Sequence, residues 1–218
     1  MKTLFISCHS NKDVLPVVRK SLKKLEGLER IGIVTTAQHL NRIGAVEGFL
    51  IKNKKKPVAG GQILGCNPAP ASKIEAVVDA FLYIGSGMFH PLALATLTDK
   101  PIIIANPYSG AVLEISDKDR TGIVKRQKAR IARAAQACVF GILVSTKTGQ
   151  QNFSYALNLK KKIEETGKKA FIFAGVELIP DRLLGYRVDA YVNTACPRIL
   201  DDFFDKPVIG PDELGVIL

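Results

Sequence analysis

The 218-residue sequence contains no tryptophan, two methionines, three histidines and four cysteines. Four scattered cysteines are too few for a disulfide framework, and none forms a CxxC pair, so neither a stapled secreted scaffold nor a zinc ribbon fits. No apolar run approaches the roughly 18 residues of a membrane helix; the best, 80–84 and 101–105, have strand length only. Also missing are a GxxxxGK[ST] phosphate loop, a GxSxG nucleophile turn and an HExxH helix. Acidic residues are scarce beside basic ones, 20 against 31, and the net charge of +11 suits an anionic partner. The basic runs 52–56, 125–133 and 160–162 lack interleaved aromatics and any RNA-binding signature, which excludes specific nucleic-acid readout as an expectation.

What is present is an alternation of short β-branched runs with helical patterns, the βαβ signature. Strands are predicted at 3–7, 31–35, 80–84, 101–105, 139–144, 170–173 and 190–192. Val14, Val18, Leu22 and Leu25 form one apolar helical stripe, with Lys20, Lys23 and Lys24 opposite. Further helices are predicted at 121–137, with Val124, Ile131, Ala135 and Cys138 on its apolar side, and at 152–166, closed by Gly167. The opening MKTLFISCHSNKD reads as a first strand and not a signal peptide, so a cytoplasmic location is expected.

The pattern repeats. IGIVTT around Gly32 matches FGILVST around Gly141, 109 positions later, and Val78-Asp79-Ala80-Phe81 matches Val188-Asp189-Ala190-Tyr191 at an offset of 110. The sequence therefore predicts an α/β fold of two tandem three-layer domains with small, mainly parallel sheets, residues 1–117 and 118–218. In such sheets ligands bind at the carboxyl ends of strands. The loops there hold Thr36, Gln38 and His39; Gly60 to Asn67 with Cys66; Gly85, Ser86 and Gly87 with His90; Ser145, Lys147 and Gln150; and Asn193 to Arg198 with Cys196.

Cys66 precedes Asn67-Pro68 in a glycine-rich loop, which leaves its thiol open to a ligand. Cys196 precedes Pro197, a residue suited to the first turn of a helix whose dipole favours a thiolate. Cys8 ends the first predicted strand, and Cys138 reads as a buried helix-face residue. Single cysteines at strand ends of different α/β units suit a cluster or a metal held between domains, and iron–sulfur ligation needs thiolates but no local spacing. The Gly85-Ser86-Gly87 turn is weak evidence for an anion site, and the three histidines read as solvated loop residues.

The strings VTTAQH, GQILGC, YIGSGMFHPLAL, VSTKTGQ and VNTACPRILDD, in that order, resemble the 2-(3-amino-3-carboxypropyl)histidine synthases of diphthamide synthesis. The resemblance covers the whole chain and implies a radical S-adenosylmethionine transferase. Family members bind a 4Fe-4S cluster through three cysteines, one from each of three similar α/β domains, and transfer a 3-amino-3-carboxypropyl group to a histidine of elongation factor 2. On this resemblance the two halves correspond to the family's second and third domains, and the first domain with its cysteine is not represented. Cys66 and Cys196 match the family's cluster ligands, and Cys8 is the internal candidate for a third. Gln38, Gly85, Ser86, Gly87, Ser145, Lys147, Gln150 and Arg198 are the expected cofactor-binding residues. A homodimer or a related family subunit would complete the site. The alternative is a noncatalytic binding or regulatory subunit derived from the same family.

Overall fold

The computed structural model describes residues 4, 6 and 8–218. The strand expected at 3–7 rests on residues 3, 5 and 7, which lie outside the described residues. The chain divides into two compact units, Met1–Gly122 and Ile123–Leu218.

In the first unit the strands β1 (Arg30–Thr35), β2 (Lys56–Gln62), β3 (Ala80–Ile84), β4 (Ile102–Ala105) and β5 (Val112–Glu114) form one sheet in the order β2-β1-β3-β4-β5. The first four are parallel and β5 returns antiparallel to β4. Helices α1 (Leu15–Ser21) and α2 (Ile43–Lys52) cover one face, where Val17, Val18, Val46 and Leu50 pack on Ile31, Ile33, Leu82 and Ile103. The short helices α3 (Ala69–Ser72) and α4 (Phe89–Leu94) cover the other, with Ala71 and Leu94 against Val34, Phe81, Tyr83 and Ile104. Near-continuous apolar strands are what a sheet buried on both faces requires.

The second unit repeats the plan. Strands β6 (Val139–Ser145), β7 (Lys169–Gly175), β8 (Ala190–Asn193) and β9 (Val208–Ile209) are all parallel, in the order β7-β6-β8-β9. One face is covered by the end of α5 (Asp117–Ala135), by α6 (Phe153–Glu165) and by α7 (Pro211–Leu214); Ala134, Ala156, Leu159, Ile163 and Leu214 pack there on Phe140, Ile142 and Val192. The third layer is made of irregular chain and 3-10 turns at Pro180–Arg182 and Pro197–Asp201, with Leu183 and Phe204 over Leu143 and Tyr191.

The repeated letters have a physical cause. Gly32 stands opposite Phe81 and Gly141 opposite Tyr191 across the central strand pair. A β-carbon would come within 2.9 Å of Phe81 Cδ1 in the first case and 2.7 Å of Tyr191 Cδ1 in the second, so only glycine leaves room for the ring. The paired aspartates cap the same strand: Asp79 accepts hydrogen bonds from the backbone N–H groups of Glu29 and Arg30 (3.1 and 2.8 Å), and Asp189 from those of Cys138 and Val139 (3.0 and 2.8 Å). A third matched string, Asp99-Lys100-Pro101 and Asp205-Lys206-Pro207, lies outside the expectation from sequence. Its prolines play one part twice, since the Pro101 carbonyl accepts from Phe81 N–H and the Pro207 carbonyl from Tyr191 N–H, both at 2.9 Å.

Three strands, β2, β5 and β9, escape the sequence pattern. In β2 the Gly60-Gly61 pair reads as loop, yet both belong to the strand. A β-carbon on Gly60 would lie 2.7 Å from Val34 Cγ1, and Gly61 has φ of +73° beside a register shift between Ile33 and Val34. Long-range pairing with β1, not local propensity, sets this strand. The expected apolar side of α5 is also corrected. Val124 and Ala135 are exposed, the buried position is Ala134, and Cys138 is an exposed residue beyond the helix end and not a core one. The reason is polar: Arg130 turns inward to meet Glu213 of α7 at 2.6 Å, which rotates the buried side away from the sequence's most apolar stripe.

Candidate functional site

The residues expected from sequence fall at the carboxyl ends of the two sheets, where the parallel topology opens its loops. In the second unit, Ser145 ends β6 and its Oγ accepts the Lys147 N–H at 3.1 Å. A tight turn follows, closed by Gln150 N–H donating to the Lys147 carbonyl at 3.0 Å, with Gly149 at φ of +82°, a conformation that favours glycine. Asn193 ends β8 and organises the next loop: its Oδ1 accepts from Ala195 N–H (3.0 Å) and its Nδ2 donates to the Cys196 carbonyl (2.9 Å). Thr194 Oγ1 pins the same loop to β6 by donating to the Leu143 carbonyl at 2.8 Å.

These loops build one pocket of about 350 Å³, lined by Ser145, Lys147, Gln150, Cys196 and Arg198. Five candidate residues from two separate motifs thus share one cavity. Sequence reasoning missed two further polar groups in its wall, Glu177 and Asp202. The only local signal for Glu177 is that it follows a parallel strand, here β7. Two cations and two carboxylates around a half-buried thiol suit a zwitterion, a ligand carrying both a carboxylate and an ammonium group. Cys196 leads into a five-residue 3-10 turn and not the helix expected after Pro197, so the dipole argument for its thiolate does not apply.

In the first unit, Cys66 is exposed in a turn closed both ways between Leu64 and Asn67, with N–H to carbonyl distances of 3.1 and 3.0 Å. The preceding Gly65 lies against the Phe89 ring, and a β-carbon there would overlap it. That contact ties the Cys66 turn to the loop of Gly85, Ser86 and Gly87 after β3. Gly85 is buried over the Tyr83 hydroxyl and its N–H donates to the Ala105 carbonyl at 3.1 Å, while Ser86 and Gly87 are exposed. Burial pushes the Tyr83 hydroxyl up to about 12, so it stays protonated beneath the loop.

Gln38 is exposed on the 3-10 turn Ala37–Arg42 after β1, and its carbonyl accepts from Ser10 N–H at 2.7 Å. His9 Nδ1 lies 3.1 Å from the Ala37 carbonyl, which brings the exposed Cys8 to the same strand end. His9 is solvated, as expected from sequence, but His39 is not. It is 1% exposed, and among the described residues neither ring nitrogen has a hydrogen-bond partner. Burial, and then the charge of Arg42, lower its pKa and hold the ring neutral. Within either unit, no three His, Cys, Asp or Glu side chains among the described residues converge as a metal site. Cys66 and Cys196 are nonetheless free, accessible thiols, the soft donors that iron–sulfur ligation requires.

The fold and pocket define an α/β protein with ligand loops and accessible cysteines at the carboxyl ends of parallel strands. The chain belongs to the family described as "Putative diphthamide synthesis protein", whose sequence profile matches residues 1–218. It is 33% identical over 229 residues to the 2-(3-amino-3-carboxypropyl)histidine synthase of Pyrococcus horikoshii, covering 99% of this chain and 65% of that one. It is 31% identical over 168 residues to subunit 1 of the Eremothecium gossypii synthase, covering 75% and 39%. The crystal structure of Dph2 from Pyrococcus horikoshii with a 4Fe-4S cluster superposes with a TM-score of 0.85 at 30% identity, covering 96% of this chain and 63% of that one. The chain thus spans less than two thirds of these relatives.

Proposed function

We propose that this chain takes part in diphthamide synthesis, the transfer of a 3-amino-3-carboxypropyl group from S-adenosylmethionine to a histidine of elongation factor 2. The observation that carries the reading is the gathering of Ser145, Lys147, Gln150, Cys196 and Arg198 around one pocket. Lys147 and Arg198 suit the carboxylate of S-adenosylmethionine, and Glu177 and Asp202 suit its ammonium group. Cys66 and Cys196 are the residues that would each supply a thiolate to a 4Fe-4S cluster, and Cys8 is the candidate within this sequence for a third. A bound 4Fe-4S cluster would supply one electron to the sulfonium, leaving methylthioadenosine and a 3-amino-3-carboxypropyl radical; addition of that radical to the histidine ring with loss of one electron and one proton would complete the transfer. Gln38 and the loop of Gly85, Ser86 and Gly87 are the first unit's candidates for cofactor contacts. A second family subunit, or a second copy of this chain, completes the assembly; a family relationship to proteins named as subunits supports this.

The test is anaerobic reconstitution with iron and sulfide, followed by S-adenosylmethionine and a low-potential reductant, with and without elongation factor 2. Methylthioadenosine release and gain of the aminocarboxypropyl mass on elongation factor 2 are expected, if necessary with a partner subunit added. A cluster-loaded chain that releases no methylthioadenosine under any of these conditions would overturn the proposal.

A further inference from the structure

The two units share a strand order, so β2 and β7 occupy the same edge position in their sheets. The edges differ in kind. Natural sheets protect an edge with proline, a bulge or charge. In β2 that protection is Pro57 and the register shift opposite Ile33 and Val34. In β7 there is no proline, and the register with β6 runs unbroken from Lys169 to Gly175. Lys169 N–H donates to the Cys138 carbonyl and the Gly175 carbonyl accepts from Thr146 N–H, so the odd residues of β7 face β6. The backbone groups of Ile172 and Ala174 therefore point to the open edge, alternating as a strand must. Ala170 also points there, and its carbonyl already accepts from Lys160 Nζ at 2.8 Å.

Beside this edge lies a groove of about 950 Å³, lined by Phe171, Phe173, Leu183 and Tyr186. Phe171 is 52% exposed and Tyr186 53%. In the first unit the corresponding face is filled, since Ile74 packs into the core there together with α3. The rim of the groove is cationic. Arg182 and Arg187 line it, Arg182 already lying 3.7 Å from the Glu177 carboxylate in the same wall, Lys168 and Lys169 stand at the start of the strand, and among the described residues Arg187 has no acidic partner. An extended acidic chain laid along this edge would neutralise these cations.

We infer that β7 is a strand-addition site for an extended protein segment that alternates acidic and apolar residues. The segment's backbone bonds to Ile172 and Ala174, its apolar side chains enter the groove, and its carboxylates meet Arg187 and Lys169. The groove and the Cys196 pocket share Val176, Glu177 and Leu178 in their walls, so a segment docked here touches the strap that also closes the pocket. The inference concerns binding alone and stands apart from the chemistry proposed above.

A short fluorescent peptide alternating Glu with Val, Ile and Phe serves as the probe, with its Lys-for-Glu analogue as control. Anisotropy should show the acidic peptide binding more tightly than the basic one by about tenfold or more, with a similar loss on Arg187→Glu. Ala174→Pro, which removes an outward N–H without touching the bonds to β6, should abolish binding. Arg187→Glu lies on an exposed loop and keeps the test open if the proline variant does not fold. Hydrogen exchange at the Ile172 and Ala174 amides should slow when peptide is present. Equal binding of the two peptides, or unchanged exchange at those amides, would overturn the inference. So would self-association that protects the same amides, because the occupant would then be a second copy.

Discussion

Phe89 rests against Gly65, so the residue before Cys66 is held by the ring that follows the Gly85-Ser86-Gly87 loop. Two motifs separated in sequence are thereby one structural piece, and the cysteine's turn depends on a contact that only glycine allows. Gly65→Ala should destabilise the chain by about 1–3 kcal/mol through overpacking. Phe89→Ala should cost more by itself but should remove most of the penalty of the alanine at 65. A double-mutant cycle by urea denaturation measures this, and strict additivity would show that the two residues do not act through each other.

The capping of the central strand predicts a pH dependence. The Arg30 side chain, together with the backbone N–H groups of Arg30 and Glu29, holds the Asp79 carboxyl down at about 2, against 3.8 ordinarily. Because the folded value is the lower one, the stabilisation is complete above the unfolded value and is lost as pH falls from 3.8 towards 2. The stability difference between wild type and Asp79→Asn should therefore be constant from neutral pH down to about pH 4 and shrink below it. Thermal unfolding of both proteins across this range checks the sign.

Arg130 and Glu213 give a second electrostatic prediction. Glu213 is 7% exposed; burial pushes its carboxyl up, but Arg130, Gly210 N–H and Gln127 outweigh it and leave the value below normal. Arg130→Met should cost about 3 kcal/mol at neutral pH, because it leaves a buried carboxylate without its counter-ion. That deficit should narrow in mild acid, as Glu213 of the variant takes up a proton. Denaturant titrations at neutral and mildly acidic pH provide the comparison, and a deficit independent of pH would mean that packing, not charge, is lost.

Lys147→Ala and Arg198→Ala should each weaken S-adenosylmethionine binding by about tenfold or more, the scale of one charge-assisted contact, without lowering thermal stability appreciably. Calorimetric titration of the reconstituted protein measures the affinity. Unchanged binding in both variants would remove the pocket from the cofactor's path.

Much of this was legible because the strongest constraints leave letters behind. A glycine under an aromatic ring and an aspartate that caps a central strand recur at Gly32 with Asp79 and at Gly141 with Asp189, and so the duplication shows in the sequence. Strand β2 did not show, because Pro57, Gly60 and Gly61 resist a strand locally and only pairing with β1 imposes one. His39 read as a loop histidine since nothing in TTAQH marks which side of a 3-10 turn faces inward. Glu177 and Asp202 were missed for a related reason: a carboxylate that lines a pocket carries no local signature when its neighbours there come from other loops. The face of α5 was misjudged because an inward Arg130 is intelligible only once Glu213 is placed beside it.

The central claim is that Cys66 and Cys196 are cluster ligands. It is tested most directly by iron and sulfide content and electron paramagnetic resonance after anaerobic reconstitution of wild type, Cys66→Ala, Cys196→Ala, Cys8→Ala and Cys138→Ala. The account predicts a 4Fe-4S signal that survives Cys138→Ala and is lost or converted to a lower-nuclearity species in both Cys66→Ala and Cys196→Ala, with Cys8→Ala reporting whether Cys8 is the third ligand. A full 4Fe-4S signal retained in the Cys66→Ala, Cys196→Ala double variant would contradict it.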